Sequence, residues 1–523
     1  MSNNPTQKPE WQELESLAQT LQSKNTVDLF DEDKDRVSSF MLKTNNLLFD
    51  YSKQRVTSDV IASLLALLNK SDFATKRNAM FGGQKINHTE NRAVLHTALR
   101  SPASSTVEVN DKNVIPDIHN TLDRIKELSS TLHANKLNGA TGKSIDTIVS
   151  IGIGGSDLGP RMVFQALKNK YPSPITTHFV ANIDGEDIQS TLKKCNAETT
   201  LFIVISKSFK TQETLTNAQT ARKWVQTNLP NNADIAPHFM TVSSNVTAAI
   251  DFGMKEESIY PMWDWVNGRF SLWSAVGLPL ALHFGFDVFR DLLDGAHQAD
   301  NDFLNTKPDE NIAIIMALLG IWNRNFMKFS HHALLPYTEK LKFMPAYVQQ
   351  LEMESNGKTI DNEGNHITDY DTCPVIFGEV GTNGQHSFYQ LLHQGSDIIP
   401  CDFIGVIKDD SGLENHHTLL LSHMLAQGQA MLQGKRSPAE PYRYFAGDIP
   451  SSTFVFTQMD AHALGYLTAL FEHKTFVQGV IWNINSFDQY GVELGKELAG
   501  KLEQNDISDA DASTKALYSY IHK

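Results

Sequence analysis

The segment Ser206-Lys207-Ser208-Phe209-Lys210-Thr211-Gln212-Glu213-Thr214 gathers short hydroxyls and two ammonium groups at one point of the chain. An apolar run, Leu201 to Ile205, ends there and a helical pattern begins. A helix start leaves several backbone N–H groups unpaired, and its dipole favours an anion. Ser206, Ser208 and Thr211 add donors of the right reach for phosphate oxygens. Ordinary N-capping is the competing reading, with Glu213 and Thr214 in the first turn. Capping uses one hydroxyl, however, and this cluster sits at the C-terminal end of a predicted strand, where α/β sheets bind ligands. The phosphate reading leads.

Other candidates are weaker when taken singly. Gly152-Ile153-Gly154-Gly155-Ser156-Asp157-Leu158-Gly159-Pro160 also follows a predicted strand, but Asp157 stands where a dinucleotide fingerprint needs its third glycine. The G-K-[ST] ending of a nucleotide-binding loop is missing as well. What remains is backbone that can approach a ligand closely, with Ser156 as a donor, or else simply a tight turn. In Gln350-Leu351-Glu352-Met353-Glu354-Ser355-Asn356-Gly357, a helix stopping at Asn356-Gly357 puts Gln350 and Glu354 on one face, and Glu352 elsewhere. Glu354 is then a candidate proton carrier, set against the commoner solvated glutamate. Arg269 lies among Trp263, Trp265 and Trp273, where it could stabilise an anionic intermediate or merely stack on indole. His386 sits in a Gly-rich turn. Gln489 and Lys496, seven apart in a predicted helix, share a face. The doublets His331-His332 and His416-His417 lack partners at metal-ligand spacing, so no metal site is expected.

These residues need a scaffold, and 523 residues suffice for about three domains. Hydrophobic residues make up 41% and charged residues 20%, enough for substantial cores. Up to about Leu99 the pattern is mostly helical, with no alternating strands. From Ser144 it becomes strand, polar turn, helix: Thr147–Ile151 with a helix through Arg161 to Lys168, then Leu201–Ile205 with a helix through Ala221 and Trp224. A second α/β block begins near Asn311. Its expected strands lie near Ala333–Pro336, Pro374–Phe377, Ile398–Ile407 and Thr453–Thr457. Its expected helices are Ile312–Met327, Met344–Ser355, His416–Leu432 and Ala461–Asn483, with a last helix from Gln489 to Leu502. Repeated strand–turn–helix units predict α/β halves with parallel sheets.

Charge and cysteine usage exclude several classes. The net charge of −15 disfavours nucleic acid, although a focused basic pocket can still take a phosphorylated small molecule. Three separated cysteines make neither a disulfide framework nor a zinc knuckle, which points to a reducing compartment. MSNNPTQKPEWQEL has no apolar core for a signal peptide, and no apolar stretch approaches a membrane span. The expected location is the cytoplasm.

The order of these motifs carries more than any one of them. Asp264 to Gly277 resembles the first signature of the phosphoglucose isomerase family, and Phe487 to Lys496 resembles the second. The loops with Ser156, Ser206-Lys207-Ser208, Gln350 to Gly357 and Gly384-Gln385-His386 fall in the family's order. Thr89-Glu90-Asn91-Arg92-Ala93-Val94-Leu95-His96 is similar to its counterpart. The resemblance runs from about Phe81 to Lys496. Asn267 replaces a glycine common in the first signature; if positive φ is required there, Asn is the least costly substitute.

The resemblance implies two sugar-isomerase (SIS) type three-layer α/β domains, expected at 116–290 and 291–505. A helical N-terminal region, 1–115, would precede them and a tail, 506–523, would follow. It implies a homodimer and cofactor-free interconversion of glucose 6-phosphate and fructose 6-phosphate through a cis-enediol, the reaction of glycolysis and gluconeogenesis. By resemblance Glu354 is the base, Arg269 the enediolate's cation, and His386, reaching in from the partner subunit, opens the ring with Lys496. Ser206, Lys207, Ser208, Thr211 and Thr214 form the phosphate clamp, and Ser156, Gly268, Gln350 and Gln489 complete the substrate-binding set. Two rivals are a phosphomannose or dual-specificity isomerase and a non-catalytic sugar-phosphate sensor. The sensor could dispense with Glu354, Arg269, His386 and Lys496, and all four are present.

Overall fold

Strands buried on both faces read as unbroken apolar runs, and β5 (Thr147–Ile151) and β7 (Thr200–Ile205) have every residue buried in the computed structural model, which describes residues 3–522. They are central in a five-stranded sheet ordered β6-β5-β7-β8-β9, with β6 Thr176–Val180, β8 Phe239–Ser243 and β9 Ile259–Pro261. Every pairing in it is parallel; Ile148 lies beside Leu201 and Thr177 in adjacent registers. The helices Leu158–Leu167 and Gln212–Asn228 follow β5 and β7. Val149, Ile151, Phe202 and Val204 pack with Ala218, Ala221 and Val225 into a common core.

The second sheet is ordered β1-β2-β13-β12-β10-β11. Its parallel part is β10 (His331–Pro336), β11 (Val375–Gly378), β12 (Cys401–Val406) and β13 (Ser451–Phe456). Its antiparallel edge, β1 (Met41–Lys43) and β2 (Leu47–Lys53), comes from the N-terminal lead. The expectation that this mostly helical lead holds no alternating strands therefore needs correction. Leu47, Phe49 and Tyr51 alternate with the more exposed Leu48 and Asp50, and β2 joins a sheet whose parallel strands lie far along the chain. The lead is otherwise helical, including Pro9–Gln22 and Ser58–Lys70. A two-stranded hairpin, β3 (Glu108–Val109) and β4 (Lys112–Asn113), precedes the helix Ile115–His133.

The helix Ala461–Ile481 runs through the interior, with every residue but His462 buried. The expected helix over 344–355 is α-helical only for Met344–Val348 and continues as a π-turn, Gln349–Glu354. The chain to Ser486 is one compact unit, and the segment from Phe487 onward is a second. The second unit contains a turn, Tyr490–Val492, and the helices Glu493–Glu503 and Ala512–Ile521. Among the described residues, no helix is long and apolar enough to cross a membrane.

Candidate functional site

After β7 the chain turns through Ser206–Thr211 before its helix begins at Gln212. Phe209 adopts left-handed backbone, φ +50°, with its ring buried against Phe252. Thr211 occupies the N-cap position, yet its side chain makes no capping bond. Its hydroxyl instead accepts from Ser206 Oγ at 3.3 Å. Thr214 is buried, and its Oγ1 has no hydrogen-bond partner. The N-capping reading of this segment therefore fails: the hydroxyls do not serve the helix. They face a cavity of about 350 Å³ lined by Ser156, Ser206, Lys207, Ser208, Thr211, Thr214 and Gly268, together with Arg92 and Ser244.

Lys207 does more than lend charge. Its Nζ donates to the carbonyls of Asp264 at 2.9 Å and Val266 at 2.7 Å, strapping the loop before Gly268 to the turn after β7. Burial, and then the neighbouring Arg92 cation, pull its pKa down to about 8. The glycine loop fits against the same wall. A Cβ on Gly155 would lie 2.0 Å from the Gly268 carbonyl oxygen, so the two loops meet backbone to backbone. Gly154, at φ +60°, sits where a Cβ would come 3.1 Å from Gln350 Nε2, which places that amide beside the loop. The position of Gly268 itself opens onto free space.

Arg269 continues this wall. Its guanidinium is buried, donating from Nε to Ser355 Oγ and from Nη2 to the Ser486 carbonyl, each at 2.6 Å. Nη1 lies 3.5 Å from Glu354 Oε2. Stacking on indole does not account for this arginine. Trp263 and Trp265 stack on each other, and Trp273 donates Nε1 to Glu472 at 2.7 Å. Asn267 is extended, φ −81°, so positive φ is not required at that position and its departure from glycine carries no backbone cost. Glu354 ends the π-turn with 22% of its side chain exposed, open to a substrate and held beside a cation. That pairing suits a carboxylate that exchanges a proton with carbon while the cation steadies the resulting oxyanion.

The structure gathers Ser156, Gly268, Gln350, Arg269, Glu354 and the 206–214 cluster, but not every predicted residue. His386 is exposed at the end of the turn Asn383–His386 and does not line the cavity. Gln489 and Lys496 do not share a helix face as expected. The helix starts only at Glu493, and Gln489, at φ −151°, lies outside it before the turn Tyr490–Val492. Lys496 is exposed on that helix. Among the described residues, no group of three or more His, Cys, Asp or Glu side chains is placed to hold a metal. Sequence reasoning assigned no role to Arg92, although its stretch was singled out, nor to Ser244, Ser355 and Ser486, whose partners only the fold supplies.

A family model described as phosphoglucose isomerase matches residues 50–518. A glucose-6-phosphate isomerase of Methylococcus capsulatus is 44% identical, over 99% of this chain and 98% of its own length. One from Alteromonas mediterranea is 45% identical, over 98% and 97%. A crystal structure of a glucose-6-phosphate isomerase from Chlamydia trachomatis superposes with a TM-score of 0.89 at 32% identity, covering 99% of both chains.

Proposed function

The chain belongs to the phosphoglucose isomerase family, and from that premise we propose how its site interconverts glucose 6-phosphate and fructose 6-phosphate. The protein is an aldose–ketose isomerase. The substrate phosphate is held by Ser206, Ser208, Thr211 and Thr214 with the first-turn N–H groups of the helix Gln212–Asn228, and Lys207 braces that cradle. Ser156, Gly268, Gln350 and Gln489 line the sugar. His386 and Lys496 open the ring, Glu354 carries the proton between C1 and C2, and Arg269 stabilises the cis-enediolate.

One observation carries this reading: a part-exposed carboxylate, Glu354, lies 3.5 Å from the buried guanidinium of Arg269, the residue that directly follows Gly268 in the lining of a hydroxyl-lined cavity. A proton alpha to a carbonyl is weakly acidic, so its removal needs a base fixed at the C1–C2 edge and a cation at the developing oxyanion. Glu354→Gln keeps the shape and removes the basic oxygen. Turnover should fall by about two to four orders of magnitude with little change in KM. Exchange of the C2 proton of glucose 6-phosphate with solvent deuterium should stop while ring opening continues. Near-normal exchange in this variant would place the base elsewhere.

The working form in this proposal is a cytoplasmic homodimer in which His386 serves the partner's site. The exposure of His386, away from the cavity of its own chain, supports this. Mixed dimers of two inactive variants, His386→Ala and Glu354→Gln, contain one site free of both lesions. They should regain activity after subunit exchange, and no recovery would rule out shared sites. Sugar-isomerase domains are proposed at 116–290 and 291–505, between the lead at 1–115 and the tail at 506–523; the two separate sheets support this reading.

A further inference from the structure

The π-turn that presents Glu354 is tied from below at several points. Glu352, two residues earlier, is 1% exposed and accepts from Lys474 Nζ at 2.7 and 3.0 Å, one bond to each carboxylate oxygen. Lys474 belongs to the interior helix Ala461–Ile481. On the other side of Glu354, Ser355 accepts from Arg269. Asn356 Nδ2 donates to the Thr475 carbonyl at 3.0 Å, and Asn356 Oδ1 accepts from Ser486 Oγ at 2.6 Å. Residues 352, 355 and 356 are thus fixed to the core, leaving Met353 and Glu354 as the members that face outward.

Stability alone is a poor reason for such a pair. Two charges taken out of water gain about as much as apolar groups of the same volume would, or less. An ion pair with both oxygens engaged does something an apolar contact cannot, because it fixes direction. π-turns depart from regular i→i+4 bonding and recur at functional sites, and this one has its one buried carboxylate locked to the most buried helix of the fold. Burial opposes the charge on Lys474, but the carboxylates of Glu352 and then Asp402 outweigh it and raise its pKa, so the ammonium persists.

We propose that Glu352 and Lys474 are positioning residues for the isomerisation: their buried ion pair sets the π-turn so that Glu354 meets the C1–C2 edge. This rests on Glu354 being the base.

The test is the double variant Glu352→Leu/Lys474→Met, which replaces the pair by apolar groups of similar volume. Its thermal midpoint and its number of sites titrated by a non-isomerisable sugar-phosphate inhibitor should match wild type, and KM should hold because the cradle is untouched. kcat should fall about tenfold to a hundredfold, the scale set by misplacing a reacting group by an ångström, and C2 proton exchange should slow in step while ring opening does not. Wild-type kcat in the folded double variant overturns the inference. So does a loss of kcat that only tracks the loss of titratable sites, because that is a structural role. Should the double variant fail to fold, Glu352→Asp, which keeps the charges and shortens the reach, is read by the same outcomes. The two proposals fail separately. Undiminished exchange in Glu354→Gln removes the base, whereas a dead Glu354→Gln beside a fully active double variant removes only the positioning role.

Discussion

The turn after β7 and the buried centre around Arg100 are both dense in polar groups, and they satisfy them in opposite ways. In the turn, Thr214 Oγ1 has no partner, Thr211 caps nothing and Ser208 is exposed. In the centre every charge is paired. Arg100 donates to Asp300 at 2.7 and 2.6 Å and to Glu472 at 2.6 Å, while Trp273 donates to the other Glu472 oxygen. His473 Nε2 lies 2.8 Å from Asp300. The unpartnered atoms there, on His96, His473 and Tyr347, belong to rings that burial holds neutral. The difference separates two uses of polarity. Groups left open at a cavity await a ligand, and groups closed on one another hold the frame, here the far side of the Gly268–Trp273 turn that carries Arg269.

The largest effect should come from breaking the closed centre. Arg100→Met leaves the carboxylates of Asp300 and Glu472 buried without their cation, at a cost of about 3–5 kcal/mol. The midpoint of urea unfolding should drop accordingly, while the protein that remains folded keeps its KM. Burial opposes ionisation of Asp300, yet Arg100 wins and holds its pKa down to about 2. A depressed carboxylate contributes stability that is present above its unfolded pKa and is lost as pH falls through the folded one. Wild type should therefore lose this contribution progressively as pH falls from 3.8 to about 2, and Arg100→Met should already lack it at neutral pH.

A smaller change should separate the open turn from the closed centre by sign. Thr214→Val removes a hydroxyl that is buried and unpaired, and leaving such a group unsatisfied costs about 1–3 kcal/mol. The free protein should therefore become as stable as wild type or more so. Affinity for a sugar-phosphate inhibitor should fall about tenfold, the worth of one hydrogen bond to a charged group. Equal affinity in Thr214→Val would show that the open hydroxyl does not serve the phosphate. A destabilised Val variant would show that the hydroxyl is satisfied within the free protein.

The two regions were unequally legible in the sequence. β5 appears at its observed limits and β7 within one residue of them, because a strand covered on both faces is a plain apolar run. β6, with Thr176, Thr177 and His178, is not such a run. β2 alternates Leu47, Phe49 and Tyr51, but in a lead dominated by helix the period is easily missed, and its partner β13 lies some four hundred residues on. The hydroxyl cluster was legible because one short segment holds it all. The closed networks were not, since Glu352 reads as a residue pointing away from the site until Lys474, 122 residues later, is seen beneath it. The helix face expected to join Gln489 and Lys496 is absent for a local reason: residues 490–492 form a turn, and the helix begins only at Glu493.

Lys207 stands between the two regions, and its response to pH should be the smallest and the most discriminating effect. Its ammonium is part of a closed device, the strap to the Asp264 and Val266 carbonyls, yet it also lines the open cavity. Burial and the Arg92 cation bring its pKa from 10.5 to about 8, against the opposing pull of Glu90 and Asp264. Above pH 8 the cavity therefore loses a positive charge while the substrate phosphate, with its second pKa near 6, stays dianionic. Inhibitor affinity should weaken by about fivefold as pH rises through 8, roughly what one partly screened charge is worth. Stability moves the other way. Between pH 8 and 10.5 the unfolded chain holds the Lys207 proton and the folded chain does not, so this group's contribution to stability rises with pH. Lys207→Met should flatten both trends. It should also raise KM at every pH if the strap shapes the cradle, but only below pH 8 if Lys207 contributes charge alone. Inhibitor titrations from pH 7 to 9.5 on wild type and Lys207→Met distinguish the two, and an affinity independent of pH in wild type would remove Lys207 from the phosphate's environment altogether.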